Sequence, residues 1–197
     1  MKKELLLSIF VLLSINVFSQ NNSINFHFIE GGTFQASDGK DYSVMPCDGE
    51  SQSDIYNKVL LAVTGLYSSS KDIITKIENE MISVNTLIFD AYSEKSMGIP
   101  FRKHVNVVFK FRMKDGNLRI DAPDIQNVYT GDPTSLKGNT EKETFMSQKS
   151  FRNETAVYFK KGELNQKRKK TYDEINEAIN KPIEDIIAKA FQKDNDW

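Results

Sequence analysis

The sequence predicts a two-layer α+β domain, in which an antiparallel sheet of about five strands carries two helices on one face, in the order β-α-β-β-β-β-α. Apolar and polar residues alternate along several strand-length segments, as half-buried strands require. Two other segments repeat apolar residues at intervals of three and four, as amphipathic helices do. Because each element has only one apolar face, placing both helices on the same side of the sheet buries all of these faces together.

The clearest strand pair is "NVVFKFRMKDGNLRIDAPDI", residues 106 to 125, with Asp115-Gly116 suited to a tight hairpin turn. Successive side chains of a strand point to opposite faces. One face then carries the apolar residues Val107, Phe109, Phe111, Met113, Leu118, Ile120 and Ala122. The other face carries the charged residues Lys110, Arg112, Lys114, Arg119 and Asp121. We therefore predict a hairpin with an apolar face and a basic face.

The elements before this hairpin follow from alternation, helical spacing and turn residues. They are a strand at Asp41–Cys47, a helix capped by Ser51 or Ser53 and ending before Ser68, and strands at Asp72–Glu78 and Met81–Tyr92. Between Ser93 and Arg102, Gly98 and Pro100 predict a loop that interrupts the pairing.

The C-terminal third begins with residues 131–170, where periodicity is lost and a long loop is predicted, with one short strand at Thr155–Phe159. A final amphipathic helix is predicted to begin near Thr171. Its apolar residues recur every four positions, at Ile175, Ile179, Ile183, Ile187 and Phe191. Pro182 lies within this helix and predicts a kink or a break.

The first residues have the layout of a secretory signal peptide, with Lys2 and Lys3 before an apolar run from Leu5 to Ile15. Cleavage between Ser19 and Gln20 would export the protein to the periplasm or the extracellular space. The apolar run is shorter than the roughly 20 residues that a transmembrane helix needs, so no transmembrane segment is expected. The predicted organisation is a signal peptide at 1–19, an N-terminal arm or short strand at 20–40, and a single domain at 41–197.

Catalytic chemistry finds little support in the sequence. The two histidines, His27 and His104, are far apart and match no metal-binding spacing, and His104 is interpreted as an edge residue of a strand. Cys47 is the only cysteine and is interpreted as a small apolar filler rather than a reactive thiol. We therefore expect a protein that is not an enzyme, with no catalytic residue, no metal and no cofactor.

The candidate ligand-binding residues are the cations of the hairpin's basic face, Lys110, Arg112, Lys114 and Arg119. They could hold an anionic envelope component or an acidic protein surface. They could equally be the solvated side of an ordinary sheet, neutralised by acids on adjacent strands such as Glu78, Asp90 and Asp121. The sequence thus favours an exported binding module that acts through its open sheet face or its long loop. A structural or accessory cell-envelope domain that forms a homodimer or larger homo-oligomer is the alternative.

Residues Tyr42 to Tyr129 resemble a bacterial family of secreted proteins of unknown function with a TATA-binding-protein-like (TBP-like) fold. The motifs that carry the resemblance are Asp54-Ile55-Tyr56, Lys71-Asp72-Ile73-Ile74, Lys114-Asp115-Gly116 and Ile125-Gln126-Asn127. The chain departs from the family at Asn79-Glu80, where a glycine-containing turn is expected, and in its longer segment 131–170. The resemblance implies a fold and no catalytic residues.

Nucleic acid is not expected as a partner, although the transcription factor that names the fold binds DNA with its sheet. The formal net charge of -1 gives no overall attraction to a polyanion. An exported protein also meets little duplex DNA, and a shared fold does not determine function.

Overall fold

The computed structural model describes residues 24–67, 74–96, 98–130, 144–147 and 155–192. The strands in chain order are β1 (Phe26–Ile29), β2 (Thr33–Ala36), β3 (Tyr42–Pro46), β4 (Ile74–Ile77), β5 (Met81–Ser96), β6 (Ile99–Lys114), β7 (Asn117–Thr130), β8 (Thr144–Ser147), β9 (Phe159–Lys160) and β10 (Glu163–Leu164). Five of them form an antiparallel sheet in the order β3-β7-β6-β5-β4, and β8 pairs with the end of β7. Two hairpins, β1-β2 and β9-β10, lie outside this sheet.

Two helices, α1 (Gln52–Leu66) and α2 (Lys169–Ala190), contact each other and the same side of the sheet. Between them and the sheet lies the core, which contains Phe109 and Phe111 of β6 and Ile120 of β7, all fully buried. The predicted two-layer α+β architecture, with both helices on one face, is therefore confirmed. The opposite side of the sheet, the open face, is the side that the helices leave uncovered.

Helix α1 begins with a capping box and is joined to the β6-β7 turn. The Ser51 hydroxyl accepts a hydrogen bond from the Asp54 N–H, and the Asp54 carboxylate accepts one from the Ser51 N–H. The Gln52 N–H, one of the donors that a helix start leaves unsatisfied, donates to Asp115 Oδ1 at 2.8 Å. Gly116 completes the turn with a φ of 71°, which favours glycine. The Lys-Asp-Gly motif therefore has a structural role at the helix terminus.

The N-terminal segment forms the β1-β2 hairpin, and α2 hydrogen-bonds its first strand through two asparagines. Asn180 Oδ1 accepts from the Phe26 N–H and Asn180 Nδ2 donates to the Phe26 carbonyl, both at 2.8 Å. One turn earlier on the same helix face, Asn176 Oδ1 accepts from the Phe28 N–H at 2.7 Å. The two amides thus satisfy backbone groups of β1 as a neighbouring strand would, and they hold the fully buried rings of Phe26 and Phe28 in the core.

The loop predicted between Ser93 and Arg102 is wrong, because β5 and β6 remain paired to the last residues before their turn. Ser93 lies opposite Arg102, and Ser96 lies opposite Ile99. Gly98 permits the tight turn with a φ of 83°. Among the described strands, the part of β6 that contains Pro100 pairs with β5 alone, since its pairing with β7 begins at Lys103. Proline is tolerated in such an edge position.

Helix α2 is continuous through Pro182, so the prediction of a break there is wrong. Buried isoleucines on both sides of the proline, Ile179 and Ile183, press the two halves of the helix onto the same core. This packing offsets the missing proline N–H, which would destabilise an isolated helix. The helix also starts at Lys169, slightly before the predicted Thr171.

Within the predicted long loop, the structure contains short elements that the sequence did not indicate. Thr155–Val157 is a 3-10 turn rather than the start of a strand, and the strand β9 begins only at Phe159. Strand β8 was not predicted at all.

The predicted signal peptide lies outside the described residues. No helix in the described ranges has the length and apolar character needed to cross a membrane.

Replacing Asn180 by alanine should destabilise the protein by about 2 to 3 kcal/mol, because it leaves the Phe26 N–H and carbonyl buried without partners. Urea unfolding would measure this loss. Asn176→Ala is the matched control on the same helix face, and it should cost less because it removes a single bond to the hairpin. Equal effects of the two substitutions would contradict the role assigned to Asn180.

Candidate functional site

The four candidate cations lie together on the open face, and we call Lys110, Arg112, Lys114 and Arg119 the basic patch. Arg112 of β6 lies directly opposite Arg119 of β7, and Lys110 lies opposite Asp121. Arg112 and Lys114 are exposed, whereas Lys110 and Arg119 are partly covered by their neighbours. Sequence alternation thus placed all four cations on one side, and strand register brings them into a single surface.

Asp121 lies between the two arginines and hydrogen-bonds both of them. Its Oδ2 accepts from Arg112 Nε at 2.8 Å, and its Oδ1 accepts from Arg119 Nε at 2.7 Å. The Asp121 side chain is only 16% exposed, so this arrangement is partly protected from water. One of the three acids proposed as neutralising partners therefore acts on the patch.

The other two proposed acids, Asp90 and Glu78, do not neutralise the patch. Asp90 pairs instead with Arg102, at 2.9 Å, and Glu78 forms no ion pair with a described residue. Lys110 and Lys114 likewise form no ion pair within the described part of the chain. The patch therefore keeps more positive charge than one carboxylate can cancel.

Tyr42 belongs to this surface and was missed by reasoning from the sequence. The guanidinium carbon of Arg119 lies 4.0 Å from the centre of the Tyr42 ring, a cation–π contact. The contact arises because β3 pairs with β7, which places Tyr42 directly opposite Asp121. The alternation of residues 41–47 indicated that Tyr42 faces one side of a strand, but only the strand order shows what it adjoins.

A cleft of about 290 Å³ adjoins the patch at Tyr42, between β3 and the end of the β1-β2 hairpin. Its lining is mostly polar and includes Asn25, Ser37, Asp38, Lys40, Tyr42 and Ser43. Lys40 and Asp38 pair with each other at 2.6 Å, so the charges in this cleft are largely balanced. The cleft extends the polar surface beyond the edge of the sheet.

His104 occupies a buried position in the central strand β6, so its interpretation as an edge residue is wrong. The pairing of β5 with β6 shifts register between Ile88 and Tyr92, which forms a β-bulge. Within this bulge Asp90 has a φ of 52°. The Asp90 N–H donates to His104 Nδ1 at 2.9 Å, which places the proton of the neutral ring on Nε2. The Phe89 ring covers the imidazole from 5.7 Å. His104 therefore closes the bulge, and its Nδ1 is not free to act as a base.

Cys47 is buried, and its thiol donates a weak hydrogen bond to the Met45 carbonyl at 3.7 Å. Burial, together with the nearby carboxylate of Glu50, raises the pKa of the Cys47 thiol to about 11. A thiol with so high a pKa is mostly protonated at neutral pH and is a poor nucleophile. This environment agrees with the interpretation of Cys47 as a filler.

A second cleft, of about 450 Å³, lies between the β5 bulge and α2 and contains acidic side chains. Two of its carboxylates are already engaged, since Asp90 pairs with Arg102 and Glu174 accepts from the Ser93 N–H at 2.9 Å. No group of three or more histidine, cysteine, aspartate or glutamate side chains within the described ranges could hold a metal ion. The basic patch thus remains the best-defined candidate site.

Comparison with known proteins finds similarity at the level of the fold. No protein-family model matches the sequence, and no curated protein sequence matches it. A DUF4468 family protein from Bacteroides ovatus is 14% identical, aligns over 79% of this chain and 88% of its own length, and gives a TM-score of 0.50. This chain shares that fold. A TBP-like protein from Parabacteroides distasonis is 15% identical over 77% of this chain and 88% of its own, with a TM-score of 0.48. The predicted resemblance to a bacterial family is confirmed for the fold by the Bacteroides ovatus protein, and at such low identity it carries no function.

Replacing Asp121 by alanine should destabilise the protein by about 1 to 2 kcal/mol at low salt, because Arg112 and Arg119 would then face each other without a shared counterion. The deficit should shrink near 1 M salt, where the screening length falls to about 3 Å. Urea unfolding at both salt concentrations measures it. Asp173→Ala, which removes an exposed ion pair with Lys169, is the control and should change stability by less than about 0.5 kcal/mol. A deficit that does not depend on salt would contradict the electrostatic explanation.

The raised pKa of Cys47 predicts a loss of stability in alkaline solution. The folded protein holds its thiol proton up to about pH 11, whereas the unfolded chain releases it near its ordinary value of 9.0. Ionisation therefore favours the unfolded state as the pH rises through this window. The stability that the protonated thiol contributes is fully present below the window and is lost across it. Denaturation of the wild type and of Cys47→Ala between about pH 8 and pH 11 would isolate the effect. The stability difference between the two proteins should narrow or reverse as the pH rises, and a constant difference would refute the assignment.

Proposed function

We propose that the protein is an exported, non-enzymatic binding module that holds an anionic component of the cell envelope on its open sheet face. The observation that carries the proposal is the basic patch. Lys110, Arg112, Lys114 and Arg119 lie on adjacent strands on the side that the helices leave uncovered, and Asp121 pairs with the two arginines. Export is inferred from the residues of the predicted signal peptide.

A binding role also agrees with the chemistry of the residues that could have been catalytic. His104 is held by a backbone N–H, and the thiol of Cys47 is buried with a raised pKa. Enzymes need an acid, base or nucleophile positioned in a pocket, and these two residues do not supply one. The basic patch spans two adjacent strands of a sheet face rather than lining an enclosed pocket, which suits an extended partner better than a small substrate.

Neutralising the lysines of the patch should weaken polyanion binding. We expect the wild-type chain to be retained on a column of sulfated polysaccharide and to elute at lower salt when Lys110→Gln and Lys114→Gln are combined. The slope of log affinity against log salt concentration should become shallower by about one to two. Each lost contact releases about one counterion fewer on binding. Stability should hardly change, because neither lysine has an ion-pair partner in the described part of the chain.

The control variant combines Lys95→Gln and Lys160→Gln, which remove the same charge from exposed positions away from the patch. This protein should elute like the wild type. If both double variants lose retention equally, binding depends on net charge alone and the patch is not a site. If the wild-type chain is not retained, the proposed function is wrong.

A structural domain that acts through homo-oligomerisation is the second candidate, and one observation favours it. Strand β3 is an edge of the sheet that pairs only with β7 among the described strands, and Val44 on it is 44% exposed. An open edge of this kind can pair with the same edge of another copy. Sedimentation analysis of wild type and Val44→Lys distinguishes the candidates, because a β3-mediated dimer would dissociate in the variant, whereas a monomeric wild type would exclude this candidate.

A further inference from the structure

We propose that Arg112 and Arg119 form a fork for one tetrahedral oxyanion, a phosphate or sulfate group carried by the anionic partner. The inference rests on the proposed function and names the chemical group that the patch recognises. It starts from the position of the two arginines, which lie directly opposite each other on β6 and β7. Opposite residues in an antiparallel pair have Cβ atoms about 4.5 to 5.5 Å apart, so two guanidinium groups there can reach the same small ligand.

The hydrogen bonds to Asp121 leave the outer ends of both arginines available. Each arginine uses its Nε to donate to Asp121, at 2.8 Å for Arg112 and 2.7 Å for Arg119. The terminal NH2 groups donate to no residue in the described part of the chain. Both side chains remain substantially exposed, at 48% for Arg112 and 42% for Arg119. Asp121 thus fixes the inner edge of the fork while its outer edge faces solvent.

The fork is held in place before a ligand arrives. The carboxylate of Asp121, whose side chain is 16% exposed, fixes both guanidinium groups. The guanidinium carbon of Arg119 also lies over the Tyr42 ring, 4.0 Å from its centre. A long side chain that is already ordered loses less conformational freedom on binding. A solvated sheet face would need neither the shared carboxylate nor the stacking contact.

The geometry favours a tetrahedral group over a carboxylate. A guanidinium binds two oxygen atoms of an anion side by side, and a carboxylate has only two such atoms, so one arginine can satisfy it. A phosphate or sulfate group presents further oxygens to a second arginine from another direction. Lys110 lies opposite Asp121 and has no ion-pair partner in the described ranges, so its charge offsets that of the carboxylate.

Titration of the full chain with inorganic phosphate, sulfate and acetate, followed by NMR at the arginine Nε–H signals, tests the inference. Phosphate and sulfate should shift the signals of Arg112 and Arg119 to saturation, and acetate should bind at least about tenfold more weakly, a difference of about 1.4 kcal/mol. Arg119→Lys keeps the charge and removes one side of the fork, so it should weaken phosphate and sulfate binding about tenfold and acetate binding much less. The ratio of phosphate to sulfate affinity would show which kind of ester the partner carries.

Equal affinity for acetate and phosphate would overturn the fork, and so would unchanged phosphate affinity in Arg119→Lys. If polysaccharide retention stays intact in either case, the proposed function still stands. Loss of polysaccharide retention in the wild type would instead overturn the proposed function itself. The dispersion of backbone NMR signals shows whether Arg119→Lys is folded. If it is not, Tyr42→Leu provides the test, since removing the stacking contact should also weaken phosphate binding, and unchanged binding would count against the fork.

Discussion

The structure depends on the alternation of side chains along β6 and β7, which gives the central sheet one apolar and one charged side. Phe109 and Phe111 are fully buried beneath the helices. Arg112, the next residue along β6, is exposed on the opposite side. A register shift of one residue would exchange these environments and place arginine in the core, so the pairing is strongly fixed by burial. The helices, the basic patch and the position of Asp121 all follow from that register.

Strand register also shifts at bulges, and the bulge in the pairing of β5 with β6 creates the other polar feature of the sheet. Between Ile88 and Tyr92, β5 contains a bulge against β6, and the buried imidazole of His104 satisfies the Asp90 N–H that the ladder leaves unpaired there. A bulge of this kind bends the strand and increases its local twist. Its cost in backbone conformation, a positive φ at Asp90, is borne by a residue type that tolerates the left-handed region.

Several elements set by local sequence could be predicted, whereas features set by distant contacts were missed. The hairpin around Asp115-Gly116 and the capping box at Ser51 are encoded within a few residues, so periodicity and turn chemistry were sufficient. Pairing of β3 with β7 joins segments far apart in the chain, so the sequence identified the four cations and not Tyr42 beside them. The break expected at Pro182 is absent for the same reason, since the core contacts of Ile179 and Ile183 outweigh a local helix breaker.

The amide of Asn180 joins the first described strand to the last helix, across a separation of 154 residues. Strand β1 can pair with β2 early, but its backbone groups at Phe26 and Phe28 lack their asparagine partners until α2 has been synthesised. Contacts between distant ends of a chain slow the search for the native state, because a large loop must close before they form. The contacts that α2 makes with Phe26 and Phe28 therefore form only after nearly the whole chain has been synthesised.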